Sequence, residues 1–97
     1  MSNFILTYDL NGPLPTHKQM DEHLNALGSN FVRGRILESV WYVRGPTTAV
    51  LLRAYVQRIL SPNDLLIVAE TTYVAWTKLL VDPAQFKMTF ENQSLAA

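Results

Sequence analysis

The 97-residue chain contains no cysteine. Disulfide bonds, zinc–thiolate sites and thiol catalysis are therefore excluded, and a reducing compartment agrees with this composition. No apolar run approaches the roughly 20 residues that a membrane span needs, and the start, MSNFILTYD, lacks the basic segment of a secretion signal. These absences predict a soluble, cytoplasmic protein that does not associate with a membrane.

An excess of positive charge is also lacking, since eight Lys and Arg residues balance eight Asp and Glu residues. Phosphate contact is mainly electrostatic, so this balance argues against a dedicated nucleic-acid-binding protein and leaves only a local basic patch open. What is present, 48% hydrophobic and 16% charged residues, is typical of a globular protein. The length predicts a single domain over residues 1–97, small enough that association into a homodimer is expected.

Alternating or continuous apolar runs predict strands, and apolar residues at helical spacing between turn signals predict helices. In chain order these are a strand at about 3–9, a helix at about 16–27, strands at about 30–36 and 39–44, a helix at about 48–60 and a buried strand at 65–70. This βαββαβ order is the pattern of a ferredoxin-like fold. With right-handed crossovers, the first and third strands lie side by side at the centre and both helices cover one face.

Two segments follow this unit. The spacing of Tyr73, Trp76 and Leu80 suggests a short helix within residues 71–83. The last residues, about 91–97, are expected to form a loose tail.

Between them, QFKMTFENQ places Phe86, Met88 and Phe90 in alternation with polar residues, which predicts a fifth strand. A strand added after a completed unit goes to a sheet edge, of this chain or of another copy. The predicted fold is therefore α+β, a ferredoxin-like βαββαβ sandwich with an additional C-terminal β-strand.

Three pieces of sequence, LTYDLN, RILESVWYV and NDLLIVAE, lie at the end of the first strand, at the start of the third and at the start of the fourth. In order and spacing, over about residues 3–70, they resemble the Cas-two family of small CRISPR-associated proteins and the related virulence-associated protein D ribonucleases. In that family the first strand ends in Tyr-Asp, and Ser-Val-Phe opens the third. This chain departs from the pattern at Trp41, at Tyr42 where a Glu is usual, and in the aromatic segment after Glu70.

The resemblance implies a homodimer in which two ferredoxin-like sheets face each other and Asp9 of each chain lies near the two-fold axis. In such proteins the aspartate pair can bind a divalent cation, Mg²⁺ or another, and support hydrolysis of RNA or DNA phosphodiesters. Asp9 is therefore the candidate catalytic and metal-binding residue. Other members of the family are adaptors that cut nothing, so the alternative is a non-catalytic dimeric adaptor on the same scaffold.

The residues themselves leave both interpretations open. Asp9 is either a strand-end acid that accepts hydrogen bonds from the LNGP loop, or half of a symmetric metal site. Asn11 could cap that loop or contact a phosphate. Arg33 and Arg35, on one face of the second strand, are either edge charges or a phosphate-contacting pair. Asn11 and the two arginines are thus the candidate nucleic-acid-binding residues. A ligand-sensing domain is a third function, but no ligand loop is recognisable.

Overall fold

The computed structural model describes the backbone of residues 1–96 and the side chains of residues 1–91. The strands are β1 (Ser2–Asp9), β2 (Val32–Leu37), β3 (Val40–Gly45) and β4 (Leu65–Glu70), and the helices are α1 (His17–Asn25), α2 (Ala49–Val56) and α3 (Pro83–Ala96). A short 3₁₀ turn, Gln57–Ile59, follows α2. The six elements predicted before residue 71 are confirmed in type and order.

The four strands form one antiparallel sheet in the order β2-β3-β1-β4. The first and third strands therefore lie side by side at its centre, as predicted. In their register Phe4 lies opposite Val43 and Leu6 opposite Trp41. A four-stranded antiparallel sheet with three helices is a small α+β arrangement, and it is compatible with a ferredoxin-like fold.

One face of the sheet packs against α1 and α2, as the sequence predicts. The buried residues of this core are Phe4, Leu6, Tyr8, Trp41 and Val43 from the strands, and Met20, Leu24, Leu52 and Val56 from the two helices. The apolar residues of α1 recur at helical spacing, so the helix presents one apolar stripe to the strands. This core fixes which residues of β1 point inward, and therefore which point to the other face.

The start of α1 follows the predicted capping box. The Thr16 hydroxyl accepts a hydrogen bond from the backbone N–H of Gln19 at 3.2 Å, and the Gln19 side chain accepts one from the Thr16 N–H at 2.8 Å. Two N–H groups that the helix cannot satisfy are thus paired. The cap sets the point at which the chain leaves the loop after β1 and turns back over the sheet.

The predicted C-terminal β-strand is wrong, because residues 83–96 form α3. Phe86 and Phe90 are four residues apart, a spacing that suits one face of a helix as well as alternate positions of a strand. Met88, between them, is 59% exposed. The start of the helix carries the stronger signal: Pro83 is its first residue, and the Asp82 carboxylate accepts from the N–H of Ala84 at 3.0 Å.

The short helix suggested for residues 71–83 is also wrong up to Asp82, since residues 71–82 of the described chain contain no helix. The threonines and valine of TTYV disfavour a helix. Tyr73 is 90% and Leu80 65% exposed, so the supposed apolar stripe is not buried. Instead, the Leu80 N–H donates to the carbonyl of Ile36 at 2.9 Å, which attaches the segment to the end of β2.

The second face of the sheet is covered in part by α3 and this segment. Its buried residues, called here the α3 cluster, are Ile36, Tyr42, Phe86 and Phe90. Inside it, the Tyr42 hydroxyl donates to the side-chain oxygen of Asn3 at 2.5 Å. The expected loose tail stays a prediction, because the side chains of residues 92–96 and all of Ala97 lie outside the described residues. No helix in the described part of the chain has the length and apolar character needed to span a membrane.

Candidate functional site

Asp9 is the last residue of β1, and its side chain is exposed. Successive side chains of a strand point to opposite faces. Because Phe4, Leu6 and Tyr8 point into the core beneath α1 and α2, Asp9 stands on the opposite face of the sheet. Its position where the strand leaves the core is the one that the sequence predicts.

The neighbours of Asp9 on this face are apolar. Asp9 pairs with Leu65, and Thr7 pairs with Ile67, across the β1–β4 ladder. Directly opposed residues share a face, yet Leu65 is 60% and Ile67 62% exposed. These four residues are called here the β1–β4 patch; with parts of the adjoining residues they line a shallow cavity of about 180 Å³. The patch combines one carboxylate with two exposed aliphatic side chains.

The exposure of Leu65 and Ile67 corrects the prediction that LLIVAE is a buried strand. Only Leu66 and Val68 turn towards the core beneath the helices. β4 lies at the edge of the sheet, and the α3 cluster contacts β1 at Asn3 and at Ile5, which is two residues before Thr7. Within the described residues, β4 is therefore covered on one face and exposes two aliphatic side chains on the other.

The loop after β1 is attached to the start of β4 by Asp64, not by Asp9. The Asp64 carboxylate accepts from the backbone N–H of Asn11 and from that of Ser61, each at 2.7 Å. The hydrogen bond from Asn11 is the largest reason why the pKa of Asp64 is lowered. Within the described residues, no group donates a hydrogen bond to the Asp9 carboxylate. The hydrogen-bonding role that the sequence offered to Asp9 therefore belongs to Asp64.

Asn11 closes the same junction from the other side. Its side-chain amide donates to the carbonyl of Asn63 at 2.9 Å, while its backbone N–H is held by Asp64. This is the capping interpretation of Asn11, and it places the residue two positions beyond Asp9. The hydrogen bonds that Asp64 accepts from Asn11 and Ser61 are called here the Asp64 clamp. The turn SPND is its sequence signal, because Asp in such turns accepts backbone hydrogen bonds.

Arg33 is used inside the protein. Its guanidinium donates to the carbonyls of Leu27 at 2.6 Å and Gly28 at 2.7 Å, and more loosely to those of Asn25 and Phe31. These carbonyls lie at and beyond the C-terminal end of α1, where a cation is favourable. In the ladder Arg33 pairs with Val43 of the helix-covered core, so it lies on the face opposite Asp9.

Arg35 lies on the same face as Arg33. It forms an ion pair with Asp21 of α1, and its guanidinium carbon stands 5.6 Å from the ring centre of Trp41. Both contacts suit a guanidinium that spans the sheet and the first helix. Asn11 thus follows Asp9 by two residues in the same loop region, and neither arginine lies on the face that carries Asp9.

A divalent cation would find one free carboxylate at the β1–β4 patch. Among the described residues, no three or more Asp, Glu or His side chains come together as a metal site. Mg²⁺ can be held by one or two carboxylates with several waters, so Asp9 fits as half of a site that needs a second copy of the chain. Comparison with protein-family models, with curated proteins and with solved structures finds no match for this chain.

Proposed function

We propose that this chain is a Cas-two-like protein with a ferredoxin-like fold, which forms a homodimer and hydrolyses RNA or DNA with Asp9 of each protomer. One observation carries the proposal: Asp9 shares the uncovered part of the sheet with the exposed side chains of Leu65 and Ile67. A second copy that covers the two aliphatic residues about a two-fold axis brings a second Asp9 to the same place. The single carboxylate then becomes a pair.

The positions of the three resembling sequence pieces support this reading. Tyr8-Asp9 ends β1, Ser39 lies in the β2–β3 turn, and Asp64 immediately precedes β4. The Thr7 hydroxyl donates to the carbonyl of Ser39 at 2.8 Å. The pieces that are far apart in the sequence thus meet around the end of β1, and the strand order agrees with the ferredoxin-like arrangement.

A divalent cation would be held by the two Asp9 carboxylates and by waters, and when bound it would neutralise phosphate charge and help to activate water. What the chain itself contributes is the position of Asp9. The Asp64 clamp fixes the loop immediately after it, and the ladder to Leu65 fixes the strand. Because none of the described residues pairs with the exposed Asp9 carboxylate, we take it as available for a ligand.

The second candidate is a non-catalytic dimeric adaptor on the same scaffold. Specific observations favour it: each protomer offers one free carboxylate at the patch, the chain has no net charge, and Arg33 and Arg35 are engaged on the other face. An adaptor needs the dimer but not the cation. The two candidates therefore differ in what the loss of Asp9 does.

The deciding experiment compares Asp9→Asn with Glu22→Gln, which removes an exposed carboxylate from α1. Labelled single-stranded RNA and DNA and their duplexes are incubated with Mg²⁺ or Mn²⁺, and with EDTA as the metal-free control. The nuclease proposal expects metal-dependent cleavage by the wild type and by Glu22→Gln, and only the EDTA level for Asp9→Asn, with all three proteins dimeric. Cleavage that survives in Asp9→Asn would refute the catalytic role; a dimer that never cuts would select the adaptor.

A further inference from the structure

A second feature of the surface lies between the segment after β4 and α3. Residues of both elements line a cleft of about 290 Å³, among them Tyr73, Trp76, Phe90 and Lys87. Pockets for drug-sized ligands are commonly about 300–1,000 Å³. The cleft is therefore of a size for one flat ring system and not for a large ligand.

Two aromatic side chains of the cleft are held in place by the α3 cluster. The Trp76 ring stands edge-on to Phe86, with ring centres 5.0 Å apart, and Phe86 is 6.0 Å from Phe90. Edge-to-face packing of this kind fixes ring orientation. The indole therefore presents a preformed wall, whose orientation does not depend on a ligand.

Tyr73 is the third aromatic residue, and it is 90% exposed. Tyr8 and Tyr42, by contrast, are each at most 4% exposed. The backbone at Tyr73 is nevertheless fixed, since its carbonyl accepts a hydrogen bond from the Thr71 hydroxyl at 2.9 Å. A ring so exposed buries little surface when this protomer folds, and beside the aromatic cleft it is a ready stacking surface.

The rim of the cleft carries one cation, Lys87, beside one carboxylate, Glu91. Lys87 lies 3.9 Å from Glu91, and the two side chains are 63% and 58% exposed. An exposed pair at this distance is weak, so the ammonium group can exchange the carboxylate for a phosphate oxygen. An aromatic surface with an adjacent cation is the combination that proteins use to bind single strands, because every base has a π-face.

We propose that this cleft binds an unpaired nucleobase of single-stranded RNA or DNA, stacked on Tyr73, with Lys87 at the neighbouring phosphate. The inference rests on the proposed function for its choice of nucleic acid, and it adds a second binding site, away from Asp9, at which one base is held. Trp76 belongs to the elements on the face that carries Asp9. Asp9 pairs with Leu65, the first residue of β4, and the cleft begins after Glu70, the last. At the usual strand rise these two residues are about 17 Å apart. One strand of several nucleotides can reach both places.

The test measures binding of fluorescently labelled 12-nucleotide U and dT strands by anisotropy, in EDTA so that no metal-dependent cleavage intervenes. Tyr73→Ala should weaken binding about tenfold or more, as loss of one stacked base does, while Tyr73→Phe should bind as the wild type does. Leu80→Ala, which shortens another exposed side chain of the same segment, is the matched control. A labelled duplex of the same length should bind less tightly than the single strands.

Because Tyr73 is almost fully exposed, its replacement should leave the far-ultraviolet circular dichroism unchanged. The proposal is overturned if Tyr73→Ala binds as tightly as Leu80→Ala, if it changes only the oligomeric mass, or if the wild type binds no strand at about 0.1 mM protein. The two proposals fail separately. Tyr73-dependent binding without cleavage refutes only the nuclease, and cleavage without a role for Tyr73 refutes only the cleft.

Discussion

Asp9 lies directly opposite Leu65 across the β1–β4 ladder, so a free carboxylate and an exposed aliphatic side chain stand next to each other on one face of the sheet. Exposed aliphatic side chains favour contact with another apolar surface, whereas a carboxylate favours water or a cation. A two-fold dimer meets both requirements, because it buries the aliphatic residues and leaves the two carboxylates to a shared ion. The dimer and the metal site are thus predicted together.

The first prediction concerns the dimer. Ile67→Lys places a charge in the β1–β4 patch and should prevent the proposed dimer from forming, because an unpaired charge is costly to bury in an interface. Light scattering coupled to size-exclusion chromatography measures the mass. Leu51→Lys is the matched control, since Leu51 on α2 is 61% exposed and Ile67 is 62% exposed. If Ile67→Lys remains a dimer, the protomers associate through another surface.

The second prediction concerns the buried hydrogen bond between Tyr42 and Asn3. Tyr42→Phe keeps the edge-to-face contact with Phe86, at 4.9 Å between ring centres, but leaves the buried Asn3 oxygen without this donor. The free energy of unfolding should fall by about 1–3 kcal/mol, as measured by urea denaturation at pH 7. Tyr73→Phe removes a hydroxyl from an exposed ring and should change stability little. Equal stability of the two variants would show that the buried bond adds nothing.

The pH dependence of the same residue has a definite sign. Burial raises the pKa of Tyr42 to about 12, whereas an unfolded tyrosine ionises near about 10. The folded state therefore favours the neutral hydroxyl. The contribution of neutral Tyr42 to the free energy of unfolding is complete below about pH 10 and is lost as the pH rises towards 12. The stability difference between the wild type and Tyr42→Phe should therefore narrow over that interval, which urea denaturation at several alkaline pH values can follow. A constant difference would contradict burial as the cause.

The third prediction uses two glycines of neighbouring strands. A Cβ at Gly45 would overlap the ring of Phe31, whereas a Cβ at Gly34 would lie 3.6 Å from Val81, an ordinary contact. Gly45→Ala should therefore lower the free energy of unfolding by about 1–3 kcal/mol through overpacking, while Gly34→Ala should be neutral or slightly stabilising. Thermal denaturation of the two variants provides the comparison. A tolerated Gly45→Ala would mean that the Phe31 ring moves aside at little cost.

The fourth prediction concerns the Asp64 clamp. Hydrogen bonds to the carboxylate lower its pKa, so its contribution to stability is present above the ordinary pKa of 3.8 and is lost as the pH falls through the lowered value. Asp64→Asn should be less stable than the wild type at pH 7. The difference in the free energy of unfolding should shrink as the pH falls below 3.8. Urea midpoints measured from pH 7 down to strongly acidic buffer check this, with Glu22→Gln as the control. A difference that does not depend on pH would argue against the carboxylate.

The elements up to residue 70 were predictable because their signals are local. The capping box at Thr16 and the alternation in β1 depend on residues within a few positions of each other. The position of Asp9 at the end of β1 followed from the same alternation. The helical state of Phe86 and Phe90 did not, because their spacing is shared by two kinds of element, and the decisive signal lay outside the run, at Asp82 and Pro83.

Which side chains of the sheet are buried and which are exposed was harder to predict from the sequence. The run LLIVAE is apolar at every position before Glu70, yet Leu66 is partly covered and Leu65 is exposed, since coverage depends on where the helices lie. The arginines show the same limit. Arg33 reaches carbonyls at and beyond the end of α1, five to eight residues earlier in the chain, and the sequence pattern does not predict this contact. Cationic residues on a strand do not by themselves indicate a phosphate site.

The α3 cluster also has a consequence for the order of folding during synthesis. Phe86 and Phe90 are made after every strand, so Ile36 and Tyr42 stay uncovered until α3 docks on the sheet. A nascent chain at this stage presents an apolar sheet surface that runs from β2 to β4, and such transient surfaces promote aggregation. The docking of α3 covers one half of that surface, and in the described part of the chain Leu65 and Ile67, beside Asp9, stay exposed.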